Sequence, residues 1–245
     1  MKLKNYRTKR PPHIFLDNQI YFLTVRTHRG MNHLLSDRNK QIVLDCINEQ
    51  IRKFNSSGEA CFGGLKPAVP AMDKQASACD DSSKLPVSPD KQALACKNIE
   101  LYAWSIAHNH YHLLLKTKKG SNLPKFIGAV NGKSSHTINE KDRVVQKTWS
   151  NYFDKCIRNE ADFYKHLNYI HQNPIKHWLV PDKHATCPEY DRGKACSSKE
   201  LDKQALACYP FCSYKQYLKS KGQDWLNDCF QKYPIIDFVA YQDEF

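Results

Sequence analysis

The stretch Ala103–Thr117, AWSIAHNHYHLLLKT, constrains this chain more than any other. It is an apolar run that reads as a β-strand, with two histidines flanking one hydrophobic residue. Side chains alternate between the faces of a strand, so His110 and His112 point the same way and Tyr111 points the other way. The chain must therefore build a sheet around this run, and that sheet carries two adjacent imidazoles in the geometry of a cation site. An isolated His-x-His is more often a pair of half-buried histidines satisfied by neighbours, so the motif needs a second constellation to carry meaning.

That constellation lies at Arg158–Val180, RNEADFYKHLNYIHQNPIKHWLV. Asn159 suits a helix N-cap, Glu160 and Asp162 place acids in the first turn, and Pro174 is expected to end the helix. Phe163, Leu167 and Ile170 recur at helical spacing as an apolar face. Tyr169 and Asn173 fall on another face, one turn apart.

The remaining elements follow from pattern and length. Ile20–Thr27, IYFLTVRT, is a strand, and Ser36–Phe54 is a helix with Ile42, Val43, Cys46, Ile47 and Ile51 on its apolar face. A strand over Ile99–Ala107 passes through a tight turn into the histidine strand. A basic helix over Asn122–Asn139, a strand near Thr148–Ile157 and the Tyr169 helix complete the order β-α-β-β-α-β-α. This predicts an α+β fold, a ferredoxin-like antiparallel sheet with helices on one face plus a C-terminal tyrosine helix.

Two stretches interrupt a single domain spanning 1–245. Residues 56–97 and 193–208 are poor in large apolar side chains and are expected to be low-complexity surface insertions. They share words: Asp73–Cys79 reads DKQASAC, while Asp90–Cys96 and Asp202–Cys208 read DKQALAC. These heptads lack the apolar face that stacked repeats bury, so they are not a solenoid. Codons for Asp-Lys-Gln can contain ACAAGC and those for Leu-Ala-Cys its reverse complement GCTTGT, so a palindromic DNA origin is a hypothesis that the gene itself tests.

A net charge of +12 and a pI near 9.2 imply an acidic partner, and aromatic residues interleaved with the lysines suit single-stranded nucleic acid. The mean hydropathy of −0.67 and the lack of a long apolar segment exclude a membrane span. No apolar stretch follows the basic start MKLKNYRTKR, so a cytoplasmic location is expected. The 10 cysteines show no CxxC pair, and all are expected to be reduced and without a metal role.

The segments NHYHLLLKT, FDKCIRNEADF, YIHQNPIKHWLV and YPFCSYKQYL, in this order and spacing, resemble the REP-associated tyrosine transposases, relatives of the single-tyrosine IS200-type transposases in the HUH endonuclease superfamily. The resemblance implies a DNA transposase that cleaves and rejoins single-stranded DNA beside palindromic hairpins, as a monomer or homodimer. Tyr169 would be the nucleophile, leaving a 5′-phosphotyrosine. His110 and His112, with Asn173 from the tyrosine helix, would hold Mg²⁺ or Mn²⁺; Gln172 is an alternative third ligand. Arg158, Asn159, Lys125, Lys133, Lys176, Arg7 and Arg10 are candidate DNA contacts. The family usually has proline where His108 stands. A non-catalytic nucleic-acid-binding module of the same fold, and a metal-dependent phosphoesterase in which water attacks, are the alternative readings.

Overall fold

Gln19–Thr27 forms β1, Ile99–Ile106 β2, His110–Thr117 β3 and Trp149–Cys156 β4, and the helices α1 (Asp37–Ser56), α2 (Asn122–Asp142) and α3 (Glu160–Lys176) alternate with them. The strands pair antiparallel in the order β2-β3-β1-β4, the ferredoxin-like sheet that the element order predicts. This computed structural model describes residues 15–56, 97–177, 179 and 206–235. Most of both low-complexity stretches, together with Arg7 and Arg10, lies outside the described residues.

The two sheet faces have different covers. On one, Tyr111 donates its hydroxyl to Asn131 Oδ1 of α2 at 2.7 Å, and α1 meets α2 through Phe54 and Phe126, whose rings lie 5.9 Å apart. On the other, Phe22 of β1 sets its ring edge-on to Tyr169 of α3 at 5.8 Å. Helix α3 lies chiefly over β2 and β3, while its first turn is tied to β4 by Lys155–Asp162 at 2.9 Å.

Helix α3 begins as its sequence directs, with Asn159 Oδ1 accepting the Asp162 amide proton at 2.8 Å. It does not stop at Pro174. The helix continues to Lys176, where the His177 amide donates to the Asn173 carbonyl at 3.1 Å. Proline removes the bond that would have reached the Ile170 carbonyl, and the Cys212 thiol donates to that same oxygen at 3.8 Å.

Cys212 belongs to a tail that the sequence pattern left without helices. Two form: α4 (Tyr214–Lys221) and α5 (Gln223–Lys232). They cover the outer side of α3, where the Asn168 amide donates to the carbonyls of Cys229 at 2.8 Å and Tyr233 at 2.9 Å. Tyr169 and Asn173, which face the sheet, are buried along with Phe163, Leu167 and Ile170, so α3 has no single apolar face.

Three smaller corrections follow. Residues 206–208 are helical and Leu206 is buried, so the second interruption ends before Leu206. Cys208 is disulfide-bonded, against the expectation of ten reduced cysteines, while Cys46, Cys156, Cys212 and Cys229 are free. His108 lies in the turn before β3, with its carbonyl accepting the Leu34 amide at 2.9 Å, so it does not extend the row formed by His110 and His112.

Candidate active site

Strand alternation sets His110 and His112 on the face opposite Tyr111, with their ring centroids 4.8 Å apart. Asn109 orients the first ring. Its amide group donates to the Gly30 carbonyl at 3.2 Å, which turns Oδ1 toward His110 Nδ1 at 2.7 Å. An amide oxygen only accepts, so His110 carries its proton on Nδ1 and its lone pair on Nε2. In the second ring, His112 Nδ1 lies 3.0 Å from the Thr24 hydroxyl, and Nε2 is buried with no hydrogen-bond partner among the described residues.

Asn173 enters from α3, its Nδ2 lying 3.4 Å from His110 Nε2 while its Oδ1 accepts from the Ser105 hydroxyl at 3.3 Å. Its neighbour Gln172 makes no such approach among the described residues. Tyr169, one turn earlier and only 4% exposed, sets its ring edge-on to His112 at 5.1 Å. The Lys176 ammonium lies 5.7 Å from the centroid of that phenol ring. The proposed nucleophile, both histidines and the amide thus converge. Tyr111 and Tyr164 stay outside this cluster, the latter stacked on Tyr233 at 4.9 Å.

Burial dominates the electrostatics. It pushes His110 down to about 3, with further lowering from the positive charge of His177, Arg26 and Lys176. His112 lies well below the ordinary histidine value, again through burial first and then its imidazole neighbours. Both rings are neutral at physiological pH and offer lone pairs, which is the state a metal ligand requires.

The donor set fits a divalent cation. The partnerless Nε2 of His112 and the lone pair of His110 Nε2 supply two nitrogens, and turning the Asn173 amide over would add an oxygen while leaving its NH₂ able to donate to Ser105. Two imidazoles with one amide oxygen suit Mn²⁺ or Mg²⁺ and leave positions for substrate. No group of three or more His, Cys, Asp or Glu side chains able to hold a metal occurs among the described residues.

Four site residues escaped sequence reasoning: Thr24 and Ser105, which bond His112 and Asn173, and Arg26 and His177. Arg26 pairs with His110 in the β1–β3 register and so faces the site, and the His177 ring lies 4.7 Å from that of His110. Arg26 sat in plain alternation on IYFLTVRT, but the register that brings it beside His110 is not written in either strand alone.

The candidate DNA contacts divide. Lys176 is exposed at the site itself. Arg158 and Asn159 are exposed at the start of α3, roughly 15 Å along the axis from Tyr169 at 1.5 Å per residue. Lys125 and Lys133 lie on α2, over the other face of the sheet, and Lys133 is ion-paired with Glu49 of α1. The structure does not bring these two to the histidine pair.

Residues 91–173 match the family model described as Transposase IS200 like, a segment that holds both histidines, Tyr169 and Asn173. The fold is shared with the REP-associated tyrosine transposase bound to a REP hairpin, at a TM-score of 0.53 and 14% identity over 87% of each chain. A candidate transposase from Deinococcus radiodurans R1 aligns at a TM-score of 0.35 and 14% identity, over 68% of this chain and 95% of its own. No curated protein matches the chain.

Proposed function

We propose that this chain, which carries an IS200-like transposase domain, cleaves and rejoins single-stranded DNA beside palindromic hairpins through a covalent bond to Tyr169. The observation that supports the reading best is the contact of the Tyr169 ring with His112, at 5.1 Å, beside a neutral imidazole pair of which the His112 Nε2 has no hydrogen-bond partner among the described residues. A hairpin partner is proposed because the fold neighbour is a transposase bound to a REP hairpin.

In this mechanism the phenol oxygen attacks phosphorus, the bond to the 3′ oxygen breaks, and the DNA leaves a free 3′-hydroxyl and a 5′-phosphotyrosine. A second 3′-hydroxyl reverses the step on a new strand without ATP, because the phosphotyrosine keeps the energy of the broken diester. His110, His112 and Asn173 would hold Mg²⁺ or Mn²⁺, whose role is to orient the phosphate and offset its charge. The phenol gives up its proton as it attacks, and the Lys176 ammonium stands 5.7 Å from the centroid of its ring. Lys176 and Arg26 flank the site as phosphate contacts. Arg158, Asn159, Lys125 and Lys133 are proposed for the hairpin arm.

The test is incubation of the full chain with single-stranded hairpin oligonucleotides from the DNA flanking its gene, with Mg²⁺ or Mn²⁺. A denaturation-resistant protein–DNA adduct is expected with the native chain and none with Tyr169→Phe, which should still bind. Cleavage without any adduct would assign the histidines to water activation instead.

A further inference from the structure

We propose that the Phe153 ring is a stacking platform for an unpaired nucleobase next to the phosphate held at the histidine pair. The nature of this ligand rests on the strand-cleavage reading above. The placement rests on register alone. Ser105 pairs with His112, His112 with Thr24, and Thr24 with Phe153, so these four side chains form one row across the sheet on the face that carries the site.

Along that row the cover changes. Helix α3 lies over β2 and β3 and buries Ser105 and His112, whereas Phe153, on the edge strand β4, is 49% exposed. Its ring has no aromatic partner among the described residues, although most aromatic side chains of this face pack against one another. With strands about 4.8 Å apart, Phe153 stands two strands, or roughly 10 Å, from His112. A nucleotide neighbouring the one at the histidines reaches that far.

Chemistry and local geometry agree. Arg26 lies one step along β1 from Thr24 on the same face and supplies a cation between ring and histidines. Opposite Arg26 the β1–β4 register shifts, so β4 carries an extra residue immediately before the Tyr152–Phe153 pair. Such bulges twist an edge strand and re-aim its side chains, and they hinder edge-to-edge pairing with another sheet. An exposed ring beside a cation on a sheet face is the arrangement on which bases stack while phosphates are tracked.

The test reads binding separately from chemistry by placing every variant in the full chain with Tyr169→Phe. The probe is a fluorescein-labelled single-stranded hairpin oligonucleotide from the DNA flanking the gene, with each flanking base in turn made abasic. Phe153→Ala should bind roughly tenfold more weakly and Phe153→Trp like the parent. One abasic position should weaken the parent tenfold and leave Phe153→Ala unchanged. Equal affinity of Phe153→Ala and the parent, or equal sensitivity of both to every abasic position, overturns the platform. So does a change of oligomeric state on Phe153→Ala with DNA affinity intact, which would give the ring to a second copy of the chain. Adduct formation by the Tyr169-containing protein judges the cleavage reading independently.

Discussion

Asn173 meets His110 with the nitrogen end of its amide, because the Ser105 hydroxyl holds the oxygen end at 3.3 Å. With the amide turned over to present its oxygen to a cation, the same Ser105 hydroxyl would accept from the Asn173 NH₂, which makes it a positioning residue for the proposed third ligand. Replacing it with Ala should raise the Mn²⁺ concentration for half-maximal adduct formation by about tenfold, the usual effect of losing an outer-shell partner, with hairpin affinity in the absence of metal unchanged. A metal titration of adduct yield checks this. The buried imidazoles set a second expectation. Burial pushes His171 and His110 down to about 3, and His166 down to about 4. Between those values and the ordinary 6.5 the unfolded chain binds more protons than the folded one, so stability is complete above about pH 6.5 and falls as pH drops toward 4. Denaturant midpoints across that range should decline, and a flat profile would refute the assignment. At this scale much was legible: alternation alone put His110 and His112 together, and helical spacing put Tyr169 near Asn173. Ser105, Thr24, Arg26 and His177 were not, since each reaches the site through pairing or packing between distant segments.

Helix α3 depends on its cap. Asn159→Ala removes the acceptor of the Asp162 amide proton and should cost about 1 kcal/mol, lowering Tm by about 2–4 °C, with Asn159→Asp restoring it. Thermal melts of both variants decide this, and an unchanged Tm for the alanine variant would count against the cap. All three helices and four strands around the site were predicted within a few residues, because each has a strong period of its own. Pro174 misled for a physical reason: in the last turn its missing donor frees only the Ile170 carbonyl, and the Cys212 thiol takes that acceptor. The tail helices α4 and α5 were missed because they are short and rely on β2 and α3 for their packing, with the Tyr217 hydroxyl donating to the Tyr102 carbonyl of β2 at 3.1 Å and the Asn168 side chain of α3 to the Cys229 carbonyl at 2.8 Å.

For the whole molecule, the main interruption leaves and re-enters at a fastened point. Asn55 exchanges two hydrogen bonds with Ile99, both 2.9 Å, and the Asn98 amide donates to the Phe54 carbonyl at 2.8 Å. Replacing residues 57–96 by a short Gly-Ser turn should leave the fold intact and raise stability by up to about 2 kcal/mol, the closure entropy of a tenfold shorter loop. Denaturant unfolding and adduct yield of the shortened chain measure both effects. With a charge of +12, the proposed hairpin binding should be steeply salt-dependent, and Lys176→Ala should lower the slope of log K against log salt by about 1. The DKQALAC words invite a reading of the gene, since GAC AAG CAA GCG CTT GCT TGT encodes one and is palindromic from its second base to its last; codons that break this symmetry at every copy remove a palindromic origin. The tail has a consequence for synthesis. Ser105 bridges to Cys212, and Ser213 stands 3.2 Å from His171, so the ligand helix is braced by residues translated after the second interruption. A product truncated within that interruption would carry the histidines and the tyrosine without this brace.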